Sequence, residues 1–249
     1  MPDLPENIFA AGKQNDVPLL TTGTANDLGS NAAMGLVKTL EEYKQLAAQQ
    51  YGASATDFLA AWPATNDAKA VKQAYLVMTN TGFGLAARDW ARRQAQTGKQ
   101  PSYLGLVARI QPYAPGSGRD QTTATSCHAC DIVYWMGTLD VMNMMRPLRN
   151  WTDWDRMLSK NMQAVIIAFA KTGNPNTPQV KFPKYDPANE QRVVFGDTIF
   201  VETLNTPGVD FLQAHPIQGR GPAGGNFPGA PNPGGPGPSG PGRGGRGAN

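Results

Sequence analysis

The residues with the clearest capacity for chemistry lie at positions 126–137, which read SCHACDIVYWMG and include His128, one of only two histidines in the chain. Histidine is the usual general base of an acyl-transfer site, because its ring can accept and return a proton near neutral pH. The neighbours of His128 are small, so the backbone can turn there and leave the imidazole ring free. The window therefore predicts a loop that presents a general base.

The same window contains Cys127 and Cys130 in C-x-x-C spacing, which allows three interpretations. A structural zinc site uses four ligands, usually from two such pairs, and the chain has only two cysteines. A redox pair would normally open a helix after a strand in a thioredoxin-like pattern, which this sequence does not show. We therefore favour two ordinary cysteines, and we expect neither a metal ion nor another cofactor.

A wider set of residues around His128 carries a family resemblance. The segment 128–132 reads HACDI and is followed by Tyr134, Gly137 and the segment 138–140, TLD. This order resembles the histidine loop of the type-B carboxylesterases, which include para-nitrobenzyl esterases and cholinesterases and have the α/β-hydrolase fold. The other segments that resemble this family are 15–24, 154–176, 182–186 and 194–197. The resemblance implies a serine esterase in which His128 is the general base.

The nucleophile that this resemblance requires is missing from the 249 residues. In the α/β-hydrolase fold the serine stands in a G-x-S-x-G turn, and the triad order is serine, acid, histidine. No such pentapeptide occurs, and the nearest approach, the segment 52–56 (GASAT), lacks the closing glycine. The glycine-rich segment of the oxyanion hole is also missing. The sequence thus resembles the C-terminal half of an esterase.

Two functions remain open on this basis. The first is a carboxylic-ester hydrolase that acts on a small-molecule ester by acyl transfer to water, but lacks its nucleophile half and would need an upstream esterase half as its partner. The second is a non-catalytic, esterase-like remnant that acts as a binding or structural protein. An adjacent reading frame that carries G-x-S-x-G would favour the first.

The acidic member of the triad departs from the family pattern. The resemblance places a glutamate in the loop 23–29, but the loop reads GTANDLG and has Leu28 at that position. Leucine can neither accept the imidazole N–H nor stabilise an imidazolium ion. Asp27 could replace the glutamate if the loop turned, although an Asp in such a turn commonly binds its own loop backbone. We take Asp27 and His128 as the candidate catalytic residues and interpret His215 as exposed and non-catalytic.

The spacing of apolar residues predicts the strands and helices that must position Asp27 and His128. Apolar runs predict strands at 17–22 and 103–110, and 192–202 predicts a hairpin that turns at Gly196-Asp197. Helices are predicted at 39–51, 55–62, 67–79, 84–97 and 153–171, the last with Asp153 as its cap. This alternation indicates the α/β class, here a partial α/β-hydrolase fold with the C-terminal strands and helices of the sheet. With so few strands, strand edges and apolar helix faces should be exposed.

Composition divides the chain into a carboxylesterase portion at 1–217 and a tail at 218–249. The whole sequence is 40% hydrophobic and 16% charged, in the range of folded domains. The tail is almost entirely Gly, Pro, Ala, Asn, Ser and Arg, so we expect it to be disordered. A net charge of +3 is too small to indicate nucleic-acid binding. No apolar run of about 18 residues predicts a membrane span, and no secretory signal is expected at the N-terminus, so the compartment stays open.

Overall fold

The computed structural model describes residues 3–145 and 147–217. The tail at 218–249, which the sequence predicts to be disordered, lies outside the described residues. Within the two described ranges, no helix has both the length and the apolar character that crossing a membrane requires.

Four strands form one sheet in the order β1–β2–β3–β4. β1 (Leu19–Thr24), β2 (Ser102–Val107) and β3 (Gln191–Phe195) run parallel, and β4 (Ile199–Thr203) returns antiparallel to β3, which confirms the predicted hairpin. β2 is buried along its whole length, as expected for a parallel strand with both faces covered. Within the described ranges β1 has a neighbouring strand on one side only, so it forms an edge of the sheet.

Helices account for most of the remaining regular structure. The five predicted helices are confirmed to within one residue at each end, while the single turn α6 and the proline-initiated α1 and α8 were not indicated by the sequence. The α-helices of the described residues are α1 (Pro5–Ala10), α2 (Leu40–Tyr51), α3 (Ala55–Ala61), α4 (Asp67–Thr79), α5 (Phe83–Thr97), α6 (Ile132–Trp135), α7 (Asp153–Thr172) and α8 (Thr206–Ala214).

The two predicted strands are misplaced at their ends. The first begins at Leu19 rather than at residue 17, after Pro18, which has no N–H to donate to the ladder. The second ends at Val107 rather than at residue 110. Beyond Val107 the N–H groups of Ala108 and Arg109 both donate to the carbonyl of Phe195, at 2.8 and 3.0 Å, so the regular alternation of the ladder stops there.

The cap of α7 is Thr152 rather than the predicted Asp153. Thr152 has an extended backbone, and its hydroxyl accepts the backbone N–H of Asp155 at 3.2 Å. The Asp155 carboxylate in return accepts the backbone N–H of Thr152 at 2.9 Å. This reciprocal arrangement satisfies donors at the helix start, and it requires the extended residue just before the helix rather than the first helical residue.

The sheet lies between α5 and α7. Leu104 of β2 is buried with Ala91 of α5, whereas its neighbour Tyr103 is buried with Met162 of α7. Successive residues of β2 thus face opposite helices, as the two-residue period of a strand requires. Beside the sheet, α2, α3, α4 and α8 form a further apolar cluster around Phe58.

Candidate active site

The loops that follow β1 and β2 run side by side and carry the two candidate residues. Asn26 and Cys127 form a parallel bridge, and the N–H of Asn26 donates to the carbonyl of Ser126 at 2.9 Å. Because β1 and β2 are adjacent and parallel, their carboxyl ends lie at the same end of the sheet. Asp27 and His128, each one residue beyond the bridge, are brought together there.

Asp27 and His128 form a hydrogen-bonded pair. His128 Nδ1 lies 2.5 Å from Asp27 Oδ1. Asp27 Oδ1 also accepts the N–H of Leu28 at 2.7 Å, and Oδ2 accepts the hydroxyl of Thr24 at 2.9 Å. The carboxylate is therefore fixed by its own loop and still contacts the imidazole. The Asp27 side chain is 10% exposed and that of His128 56% exposed, so the ring is open to a reacting group.

Leu28 occupies the position that resembles the family's glutamate. Its side chain is 44% exposed and contains no hydrogen-bond acceptor. Within the described ranges, the only carboxylate that forms a hydrogen bond with the His128 ring is that of Asp27, one residue before Leu28. The loop thus brings the carboxylate of residue 27 to the imidazole ring.

Asp131 lies close to the pair but has a separate contact. Its carboxylate accepts the indole N–H of Trp135 at 3.1 Å. Burial raises the pKa of Asp131, and the negative charge of Asp27 contributes to the increase against the lowering effects of the Trp135 hydrogen bond and of His128. The hydrogen bond therefore joins the residue that directly precedes α6 to the last residue of that helix.

An apolar groove runs beside the edge strand β1 and ends at the pair. In the groove Phe83 and Trp90 of α5 are 44% and 46% exposed. The Phe83 ring is nearly parallel to the His128 ring, with centroids 6.3 Å apart. Sequence reasoning missed both aromatic residues, because an exposed aromatic residue on an amphipathic helix gives no separate signal. The residues that line the groove are Thr21, Thr22, Asp27, Phe83, Ala86, Ala87, Trp90 and His128.

Cys127 and Cys130 form a disulfide, which corrects the interpretation as two ordinary cysteines. Their Cα atoms are 5.2 Å apart, a usual separation for a disulfide. The N–H of Cys130 donates to the carbonyl of Cys127 at 3.1 Å, so that His128 and Ala129 are the two central residues of a turn. Within residues 3–145 and 147–217, no three His, Cys, Asp or Glu side chains are grouped so that they could hold a metal ion.

His215 lies apart from the pair, directly after α8, and it is exposed as predicted. Its ring stacks on that of Phe211 with centroids 4.1 Å apart. Its Nδ1 lies 3.0 Å from the carbonyl oxygen of the same residue. These contacts are local to one helix end.

Comparison of the sequence with known proteins identifies one family. A sequence model described as the carboxylesterase family matches residues 1–211. The para-nitrobenzyl esterase of Bacillus subtilis (strain 168) is 33% identical over 75 residues, which make up 30% of this chain and 15% of that protein.

Solved structures agree on the fold. Two structures, described as a PNB esterase and as a thermophilic PNB esterase, each match with a TM-score of 0.54 and 22% identity, over 81% of this chain and 39% of their own. An esterase from anaerobic Clostridium hathewayi, described as able to hydrolyze aliphatic aromatic polyesters, matches with a TM-score of 0.51 and 20% identity, over 78% of this chain and 36% of its own. The partial α/β-hydrolase fold is therefore confirmed, and the chain spans well under half the length of these structures.

Proposed function

The chain belongs to the carboxylesterase family, and we propose that it supplies the general base and the orienting carboxylate of a carboxylic-ester hydrolase. The observation that carries this proposal is the contact between His128 Nδ1 and Asp27 Oδ1 at the ends of two adjacent parallel strands. The serine nucleophile would come from outside these 249 residues, since they contain no G-x-S-x-G. The proposed substrate is a small-molecule ester.

In the proposed reaction, His128 Nε2 accepts the proton of the serine hydroxyl while the serine oxygen attacks the carbonyl carbon of the ester. The imidazolium ion then returns the proton to the leaving alcohol, and the acyl group remains on the serine. Water releases it in the same way: Nε2 takes a proton from the water, the oxygen attacks the acyl carbon, and the serine leaves with the returned proton. Asp27 accepts the Nδ1–H throughout and stabilises the positive charge of the ring.

The sheet edge at β1 is where we propose that the serine-bearing polypeptide binds. Within the described residues β1 pairs with β2 alone, and an edge strand offers backbone donors and acceptors to a further strand. The groove beside β1 contains the exposed rings of Phe83 and Trp90 and ends at His128. We propose that residues 1–217 form one carboxylesterase portion, separate from the tail at 218–249, and bind a nucleophile-bearing half along β1. Burial of the aromatic rings would stabilise this association.

Reconstitution tests the proposal. The chain is co-expressed with an N-terminal carboxylesterase fragment that carries G-x-S-x-G, and the purified pair is assayed with p-nitrophenyl acetate. We expect hydrolysis by the pair and none by the chain alone, because a histidine without its nucleophile retains little catalysis. A failure of the two polypeptides to associate would contradict the proposal.

Variants of the reconstituted pair separate the roles of the residues. His128→Ala should abolish hydrolysis, whereas His215→Ala, at the other histidine of the chain, should leave it unchanged. Asp27→Asn should lower kcat by about 10⁴, because an amide at this position favours the wrong imidazole tautomer. Leu28→Glu in the Asp27→Asn background should recover part of that loss. Full activity of Asp27→Asn would exclude Asp27 as the orienting carboxylate.

Leu28 favours the alternative function, a non-catalytic esterase-like remnant that binds or supports another molecule. A chain that no longer catalyses hydrolysis does not need the triad glutamate, so replacement of this residue by leucine is expected in such a chain. In that case the two halves would not associate, or they would form a pair in which neither the natural chain nor its Leu28→Glu variant hydrolyses the ester. Activity that depends on His128 would exclude this alternative.

A further inference from the structure

The two cysteines enclose the candidate base. Cys127 and Cys130 are joined by the disulfide, and His128 is one of the two residues between them. The carbonyl of Cys130 accepts Nε2–H of Gln111 at 2.6 Å in the protein interior. Cys127 is bridged to Asn26, the residue before Asp27. Each end of the disulfide ring is thus attached to a different part of the fold.

Ala129 has a backbone conformation in this turn that alanine rarely adopts. Its φ is +61°, the only positive φ of a non-glycine residue within the described ranges. A turn with positive φ at its third position normally has glycine or asparagine there, because a Cβ is disfavoured in that conformation. Such a conformation persists only where the surroundings hold it. The disulfide joins the first and the last residue of the turn, and this covalent constraint can hold Ala129 in its positive-φ conformation.

We propose that the Cys127–Cys130 disulfide positions His128 on Asp27, and that thiol reductants release the imidazole from this carboxylate. The two cysteines act through His128 and are positioning residues. The effect on hydrolysis rests on the proposed function, whereas the positioning itself can be measured without a substrate.

Reduction by dithiothreitol gives the chemical step. The reductant transfers two electrons and two protons to the disulfide, the sulfur–sulfur bond breaks into two thiols, and dithiothreitol is oxidised to its cyclic disulfide. Cys127 is half-buried and Cys130 is buried, so we expect attack at the sulfur of Cys127. Ala129 can then return to negative φ, and the loop no longer holds the His128 ring against Asp27.

The imidazole tautomer of His128 reports this contact directly. A neutral ring that donates Nδ1–H to a carboxylate is held in the Nδ1–H form, and the hydrogen bond of one ring nitrogen determines which nitrogen carries the proton. ¹⁵N NMR shifts of the labelled full chain, recorded at a pH where the rings are neutral, distinguish the two forms. We expect Nδ1–H in the oxidised chain and a shift of the population towards Nε2–H after reduction. The Cys127→Ser/Cys130→Ser variant should show the same shift without reductant.

His215 is an internal control, since its contact is with Phe211 and does not involve the disulfide. Its ¹⁵N shifts should be the same in all samples, which also verifies that the fold around α8 is intact. Ala129→Gly in the double-serine background should restore part of the Nδ1–H population, because glycine adopts positive φ without the constraint. If the double-serine variant does not fold, the reduced natural chain provides the same readout.

An unchanged His128 tautomer after verified reduction would overturn the proposal. In the reconstituted hydrolase, reduction should lower kcat at least tenfold with KM unchanged, because the role proposed for the disulfide is to position His128. Absence of hydrolysis in every sample would refute the proposed function and leave the tautomer result standing. A change in the tautomer with no change in kcat would refute the catalytic consequence alone.

Discussion

At the scale of single residues, Asp155 has a buried carboxylate that accepts hydrogen bonds from Arg109, Tyr134 and Thr152. Its Oδ1 accepts Nε–H of Arg109 and the hydroxyl of Tyr134, each at 2.7 Å, and its side chain has no exposed surface. Burial acts to raise the pKa of Asp155, but the hydrogen bonds from Arg109, Thr152 and Tyr134 outweigh it and lower the pKa. This carboxylate therefore joins the chain after β2, α6 and the start of α7.

The lowered pKa of Asp155 predicts acid sensitivity. A carboxyl group whose pKa is lower in the folded chain stabilises the fold above its unfolded pKa of about 4, and this contribution is lost as the pH falls through the folded pKa. Asp155→Asn should lower the free energy of unfolding by about 1.5–3 kcal/mol at pH 7, because Arg109 loses its charged hydrogen bonds to the buried carboxylate and keeps only the exposed Asp197 as a carboxylate partner. Urea denaturation at pH 7 and at acidic pH measures both effects.

The control for this prediction is Asp153→Asn, two residues away in the same helical turn but exposed. It should change the free energy of unfolding by less than about 0.5 kcal/mol. Equal losses in the two variants would show that the helix start, rather than the buried ion pair, determines the stability.

The choice of Asp27 and His128 as candidates was accessible from the sequence, because both loops resemble the loops that bear the triad in the carboxylesterases. The disulfide and Phe83 were not accessible in the same way. The number of cysteines and the lack of a thioredoxin-like pattern favoured free thiols, whereas the folded turn brings the Cα atoms of Cys127 and Cys130 to 5.2 Å and joins the two residues in a disulfide. The ring of Phe83 lies near His128 because of how α5 crosses β1, which depends on packing across the whole layer.

At the scale of elements, the start of α5 depends on a close approach to the Asp27 loop. Gly82 has φ +57° and ψ −129°, and a Cβ there would collide with backbone atoms of Leu28, Gly29 and Ser30. Gly82→Ala should therefore combine backbone strain of about 1–3 kcal/mol with a steric penalty of about 1–3 kcal/mol. It should also displace Asp27 from His128, which the His128 tautomer would show.

Gly52→Ala is the matched control, since Gly52 has nearly the same backbone, φ +54° and ψ −120°, with nothing within 4 Å of the added Cβ. Only the strain should remain, so urea denaturation should show a smaller loss than for Gly82→Ala. Identical losses in the free energy of unfolding would mean that the Asp27 loop moves to accommodate the added methyl group.

Helix positions were predictable because their apolar residues repeat over several turns, as in α4 and α7. Details that depend on backbone geometry were not predictable from the sequence. Thr152 and Asp153 are both good capping residues, and the choice between them is made by which of the two is extended and reached by Asp155. The end of β2 depends in the same way on the shared acceptor at Phe195, which the sequence does not reveal.

At the scale of the whole molecule, the groove along β1 predicts where a nucleophile-bearing half binds. Trp90→Gln should weaken co-purification of that half by about tenfold or more, which corresponds to about 1.4 kcal/mol, because a half-exposed indole would no longer be buried on association. Ile167→Gln is the control, since Ile167 is 52% exposed on α7, across the sheet from α5. A similar loss for both variants would indicate that association does not use the groove.

The distance along the chain between Asp27 and His128 has a consequence for the order of folding. They lie 101 positions apart, and the pairing of β1 with β2 is what joins their loops. Non-local strand pairing forms slowly, because the entropy of closing a long loop must be overcome before the contacts stabilise it. Helices α2 to α5 all lie within that loop and can form from local contacts. The imidazole should therefore meet its carboxylate late in folding, at the rate at which the sheet closes rather than the rate at which the helices form.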